Sequence, residues 1–228
     1  MQFVLGSRSP RRRELLEPVI GPGQLLIRPP THSEEENFGG LHEPESIRQR
    51  LSRIVRAKME DLVIQVRSEF AATADDRCLI TADTVVVVED PDKGPVVLGQ
   101  PGPDRWQAEV RDWMLRLYSG ATHEVWTGFQ VVYGEQSRNQ IVTTKVRMCE
   151  LTPSLANRYI ATEEPAGKAG GYAIQGAAAV FVEAIDGSLA NVIGLPVMEV
   201  VRAMESMGIQ LPDSESLVRG ERTSEGVK

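Results

Sequence analysis

MQFVLGSRSPRRRELLE, residues 1–17, decides how the rest of the chain is read. Phe3-Val4-Leu5 is a short apolar run that predicts a buried strand. Gly6, Ser7 and Ser9 supply a tight turn, and Pro10 suits the first position of a helix, where its missing N–H is no loss. That helix opens on Arg11, Arg12 and Arg13. A strand, a small-residue turn and a helix N-terminus make an anion site, because free N–H groups and the positive dipole end face the ligand. Guanidinium forks at the same spot suit a polyphosphate, which they grip two bonds at a time. A capped helix with solvated arginines carries the same pattern, so this segment alone leaves both readings open.

Composition narrows the choice. With 228 residues, 41% of them hydrophobic, the chain can bury the core of one large domain or two joined lobes. A net charge of -7 and a pI near 5.2 argue against nucleic acid as a partner, because neutralising phosphates along a strand needs a basic face. Cys78 and Cys149 stand far apart and outside metal spacing, as expected of thiols in a reducing compartment. His32, His42 and His123 form no metal pattern. No apolar stretch is long enough to span a bilayer and no secretory apolar region follows the N-terminus, so the expected location is the cytoplasm, with no membrane partner.

Along the chain, the patterns predict a strand at 2–6, a helix at 10–17, a strand near 25–28 and a loop through 29–43. Ile47, Leu51, Ile54, Val55, Met59, Leu62 and Val66 recur at helical spacing and predict a long helix over 44–70. Cys78 to Val88 reads as a strand, Pro91 to Pro103 as a Gly- and Pro-rich loop, and 104–118 as a helix. A hairpin is expected near 123–134 and 140–150, then a helix near 153–162 with Thr152 as N-cap. A strand at 180–184 and a helix at 196–207 complete the alternation. The expected fold class is α/β, a mixed twisted sheet with flanking helices. Residues 1–211 are expected to form one domain, and 212–228 a polar, flexible tail.

Asp83 is the sharpest single signal. It lies in ITADTVVVVE, inside a run that should be a buried strand, where a carboxylate is costly without a partner, a network or a metal. It reads as a general base or a metal ligand at the end of a strand, or as an Asp capping a loop. Glu34-Glu35-Glu36 is a second source of carboxylate, and Mg²⁺ takes a few carboxylates together with phosphate oxygens. Lys58, on the long helix, reads as a phosphate contact or a surface lysine. KAGGYAIQG, residues 168–176, joins Lys168 as a point charge, a Gly-Gly pair that lets backbone approach closely, and Gln175, whose amide suits a base edge. A glycine-rich turn between elements would look the same. NVIGLPV, residues 191–197, reads as a structural strand-to-helix turn.

Taken together and in order, LGSRSPRRRELLE, ADTVVVV, HEVWTG, KAGGYAIQGAAAVFVEAIDGS and NVIGLPV resemble the Maf family of nucleoside triphosphate pyrophosphatases. The resemblance covers the chain to about residue 211. It implies a two-lobed, inosine triphosphatase-like fold and hydrolysis of a nucleoside triphosphate to the monophosphate and pyrophosphate, with a divalent cation (Mg, Mn or Co). It also suggests a homodimer. Within the family, Arg11, Thr84 and Gln175 match the group acting on dTTP and UTP; the 7-methyl-GTP group has Trp, Gln and Glu there. By the same resemblance Asp83 is the catalytic base and, with Glu35, a metal ligand. Ser7, Arg12, Lys58 and Lys168 match phosphate-side contacts. One departure is Gly99-Gln100-Pro101, where the family has a lysine in the middle; Arg105 is a nearby cation that could take its place. The rival expectations are a pyrophosphatase for 7-methyl-GTP and a weakly active, nucleotide-binding regulator of cell division.

Overall fold

The computed structural model describes residues 1–21, 23–31, 37–70 and 76–211. Glu35 and the expected tail at 212–228 therefore lie outside the described residues. The opening segment forms strand β1 (Gln2–Gly6) and helix α1 (Pro10–Ile20). The helix runs three residues past the expected Glu17, through Pro18. Carrying Leu16 and Ile20 on one face into full burial offsets the hydrogen bond that Pro18 cannot donate. Strand β2 (Leu25–Ile27) and helix α2 (Pro44–Phe70) follow, and the seven apolar residues read from the sequence are the buried stripe of α2.

Strand β3 (Arg77–Asp90) is the spine of the sheet. It is followed by β4 (Gly94–Leu98), in a segment expected to be loop. Gly94 and Pro95 hid that strand, yet Val96-Val97-Leu98 pair with Val86–Val88, and Pro95 is tolerated at its start. Helix α3 (Trp106–Asp112) passes directly into a π-helical turn, Trp113–Tyr118. The expected hairpin is β5 (Thr122–Tyr133) and β6 (Gln136–Met148). Helix α4 (Pro153–Ile160) has its expected cap, the Leu155 N–H donating to Thr152 Oγ1. Two 3-10 turns, Ala169–Gly171 and Ala177–Phe181, precede β7 (Val182–Asp186). The second turn displaces the expected strand by two residues, because Phe181 turns inward to pack edge-on against Tyr159. The strand-to-helix turn expected over 191–197 begins instead within a short helix α5 (Leu189–Ile193), which precedes α6 (Val197–Ser206).

The strands form one mixed sheet in the order β2-β1-β3-β5-β6-β7, with β4 also beside β3. Alternation along the strands splits the core by face. Phe3, Leu5 and Ile80 pack toward Leu16, Ile20, Val200 and Met204 of α1 and α6. Val4 and Leu79 face Met59, Leu62 and Val66 of α2. Val86 and Val88, further along β3, join Val110, Met114, Tyr118, Tyr159 and Phe181 in the core of a second lobe.

One edge of β3 changes partner between the lobes. Parallel β1 pairs with it as far as Gly6↔Thr81, and antiparallel β4 takes over at Val86↔Leu98. On the other side β5 pairs without a break from Leu79 to Val87. Residues 82–85 thus lie at a break in one sheet edge, beside the carboxyl end of β1, and such breaks are where α/β folds leave room for ligands.

Candidate active site

A cleft of about 730 Å³ opens at this break. Ser7 reaches it from the β1–α1 turn, Arg11 and Arg12 from the first turn of α1, Lys58 from α2, and Asp83 and Thr84 from β3. Gln100, Gly167 and Ala169 face it from the second lobe. Gly6 makes the closure at its floor, since a Cβ there would stand 2.9 Å from Thr81 Cγ2.

Asp83 and Lys58 meet inside the cleft. Lys58 Nζ donates to Asp83 Oδ1 at 2.6 Å, and the side chains are only 11% and 13% exposed. Lys58 stands next to buried Met59, at the margin of the α2 stripe, which aims its ammonium across the sheet edge. The pair answers the cost of a carboxylate in a strand, and it leaves that carboxylate oriented toward the cleft.

Arg12 is engaged by the protein around Asp83. Its Nη1 donates to the carbonyl of Ala82 (2.8 Å) and to Ser7 Oγ (3.2 Å), its Nη2 to Thr84 Oγ1 (3.0 Å), and its Nε to the carbonyl of Gly194 (2.8 Å). The guanidinium therefore grips β3 on both sides of Asp83. Ser7 Oγ also accepts from the Ser9 N–H, which leaves the Ser7 hydrogen to donate into the cleft. Thr84 Oγ1 lies 3.0 Å from Thr127 Oγ1 and 3.3 Å from the Gly194 carbonyl. Behind it, Thr127 donates to the Asn191 carbonyl, and buried Asn191 donates to the Val125 carbonyl and Thr144 Oγ1. The 188–195 segment is thus more than a turn. Its carbonyls terminate the network that holds Arg12 and Thr84, and the signal in the sequence was a lone Asn in the apolar run NVIGLPV.

The glycine-rich loop closes the far side. Gly170 sits at φ 70, and a Cβ there would stand 2.6 Å from Val86 Cγ2 and 2.7 Å from the Tyr118 hydroxyl. Gly170 N–H donates to the Gly99 carbonyl, tying the loop to the step that carries Gln100, and Tyr118 donates to the Gly170 carbonyl. Beneath lie His123 and Tyr172, with Nε2 and the hydroxyl 2.8 Å apart. Burial pushes the His123 imidazole down to about 3, and its Nδ1 is buried with no hydrogen-bond partner among the described residues. Burial also lowers Lys168 from the ordinary lysine value, repulsion from Arg11 lowers it further, and Glu164 opposes the shift. Lys168 itself is not among the residues that line the cleft, and its ammonium donates to the Glu164 carbonyl. Gln175 is exposed and stands outside the residues that line the cleft, and Arg105 is likewise exposed and outside them.

The sequence model of the Maf-like protein family matches residues 2–207. The chain belongs to the Maf family. Among Maf relatives, the dTTP/UTP pyrophosphatase of Bacillus cereus strain AH187 is 33% identical over 210 residues, 92% of this chain and 97% of its own. The protein of the same name from Bacillus anthracis shows the same identity and coverage. That of Bacillus cereus strain ATCC 10987 is also 33% identical, over 92% of each chain. The Maf cleft here holds no cage of three or more His, Cys, Asp or Glu among the described residues. Its all-oxygen donor, Asp83 at the cleft wall, fits a hard divalent cation that shares one or two carboxylates with substrate phosphates, and does not fit a metal held by protein alone.

Proposed function

We propose that this Maf protein is a cytoplasmic nucleoside triphosphate pyrophosphatase that hydrolyses dTTP and UTP to the monophosphate and pyrophosphate. The observation that carries the reading is the Asp83–Lys58 pair at the sheet break, in a cleft of about 730 Å³ that Ser7 and Arg11 also line, a size suited to a nucleotide. The names of the relatives support the substrate pair, as do Arg11, Thr84 and Gln175.

In this mechanism Arg11 and Lys168 bind the triphosphate and hold it along the cleft. Ser7 donates its hydroxyl hydrogen to a phosphate oxygen. Asp83, oriented by Lys58, positions a water against the α-phosphorus and takes its proton. Arg12 keeps β3 rigid on both sides of Asp83. A divalent cation, Mg²⁺ or Mn²⁺, held by Asp83 with Glu35, would supply charge neutralisation at the phosphate oxygens. Thr84, whose hydroxyl is occupied by its own network, shapes the floor beside the reacting group, and Gln175, which stands outside the cleft lining, is assigned the pyrimidine edge on the family resemblance.

Pyrophosphate release from dTTP, UTP, CTP, GTP and 7-methyl-GTP tests the proposal. Faster release from dTTP and UTP is expected. Preference for 7-methyl-GTP would overturn the substrate assignment. Binding of all five without release would favour a regulatory protein, with Gln100 in place of the family lysine as the first residue to suspect.

A further inference from the structure

Glu164, just past the end of helix α4, touches both ends of the glycine-rich loop. Helix α4 ends in a turn in which Glu163 takes a left-handed conformation (φ 58), and Thr162 Oγ1 accepts the Glu164 N–H. This turn points Glu164 back under the loop. Its carboxylate accepts from the Ala177 N–H at 2.9 Å through Oε2, and Oε1 accepts from the Tyr159 hydroxyl at 2.9 Å and the Ala178 N–H at 3.4 Å. The same Tyr159 hydroxyl accepts from the Ala173 N–H at 3.2 Å. The backbone carbonyl of Glu164 accepts from Lys168 Nζ. Space confirms the fit: a Cβ on Gly176 would stand 1.9 Å from Glu164 Oε2, so only glycine lets the carboxylate reach the N–H groups beyond it.

Gln175 lies between Ala173, held through Tyr159, and Ala177, held by Glu164. Lys168 is held by the Glu164 carbonyl. We propose that Glu164 is a positioning residue that couples Lys168, on the phosphate side, to the turn carrying Gln175, on the base side. The inference rests on the pyrophosphatase reading for the roles of those two residues. Its physical basis is independent of that reading, because one side chain and one carbonyl span both ends of a loop whose glycines give it little stiffness of its own. Loss of the carboxylate frees the 173–178 turn, so the base end of a nucleotide is no longer met by a fixed amide.

The test combines amide hydrogen exchange with steady-state kinetics on the full chain, for wild type, Glu164→Ala and Glu164→Gln. Glu164→Ala is expected to speed exchange at 176–178 at least tenfold without nucleotide. It should also raise KM for UTP about tenfold, leave kcat within about threefold, and narrow the preference for UTP over CTP. Glu164→Gln keeps an amide oxygen for the Ala177 N–H and is expected to restore most of the KM and the preference. A purely structural role would lower kcat with stability and leave KM and the preference unchanged. Unchanged exchange at 176–178, or faster exchange with unchanged KM and preference, would overturn the proposal. If the wild type hydrolyses neither UTP nor dTTP, the reading of the reaction fails by itself. Exchange with added UTP then decides the coupling: protection of 168–178 in the wild type that disappears in Glu164→Ala supports it, and protection kept in the variant or absent from both overturns it.

Discussion

Thr84 shows how a single hydroxyl can be fully used. It meets Arg12, Thr127 and the Gly194 carbonyl, so removing it strands a guanidinium N–H and weakens three contacts at once. Thr84→Val is expected to lower unfolding stability in urea by about 1–3 kcal/mol, the cost of leaving partly buried polar groups unpaired, whereas Thr84→Ser stays within about 1 kcal/mol of wild type. A Thr84→Val variant as stable as wild type would show that the hydroxyl network contributes nothing. Arg12 illustrates the limit of residue-level reading. Its place in the opening arginine cluster marks it as an anion contact, while its four protein partners, two of them carbonyls distant in sequence, come only from the folded chain.

At the scale of elements, the glycine-rich loop depends on Gly170. Any side chain there adds a left-handed backbone penalty to a collision with Val86 and Tyr118. Gly170→Ala is expected to cost about 1–3 kcal/mol or more in thermal or urea unfolding, and to weaken nucleotide binding by moving the 167–171 segment. An unchanged melting temperature would mean that the loop relaxes freely and does not set the geometry of the cleft. Much of the element plan was legible in the sequence. The α2 stripe follows from helical periodicity, and β1, β3 and the β5–β6 hairpin from apolar runs and turn residues. The missed elements share a cause. In β4, Gly94 and Pro95 obscured a strand that pairing with β3 stabilises. In α5 and the 177–181 turn, burial of Asn191 and Phe181 against distant residues decided local conformation. The site was legible as a set of candidates, since Asp83, Lys58, Arg11 and Ser7 do gather in one cleft. The break in the β3 edge that gathers them is a property of pairing, which no window of sequence contains.

On the scale of the whole molecule, His123 links the second lobe to pH. Its folded value near 3 lies below the ordinary histidine value of 6.5, so the unfolded chain takes up a proton that the folded chain refuses as pH falls from 6.5 toward 3. Stability is therefore fully present above about pH 6.5 and declines below it, by about 1.4 kcal/mol per pH unit. Urea unfolding at pH 7.5 and 5.5 should show a drop of about 1.4 kcal/mol from this group, and His123→Gln should remove that part of the drop. The same pH dependence in both proteins would mean that His123 takes up its proton as readily in the folded chain as in the unfolded one.

The cleft between the lobes carries the central claim: attack at the α-phosphorus of a pyrimidine triphosphate that depends on Asp83. Asp83→Asn keeps an acceptor for Lys58 and so preserves the fold while removing the base. The most direct measurement is hydrolysis of UTP with Mg²⁺ in ¹⁸O-labelled water by wild type and Asp83→Asn, with both products analysed by mass spectrometry. The predicted result is label in UMP and none in pyrophosphate, with the rate in Asp83→Asn lower by about 10²- to 10⁴-fold and its circular dichroism unchanged. Label in pyrophosphate or in inorganic phosphate, or a well-folded Asp83→Asn variant turning over at the wild-type rate, would contradict it.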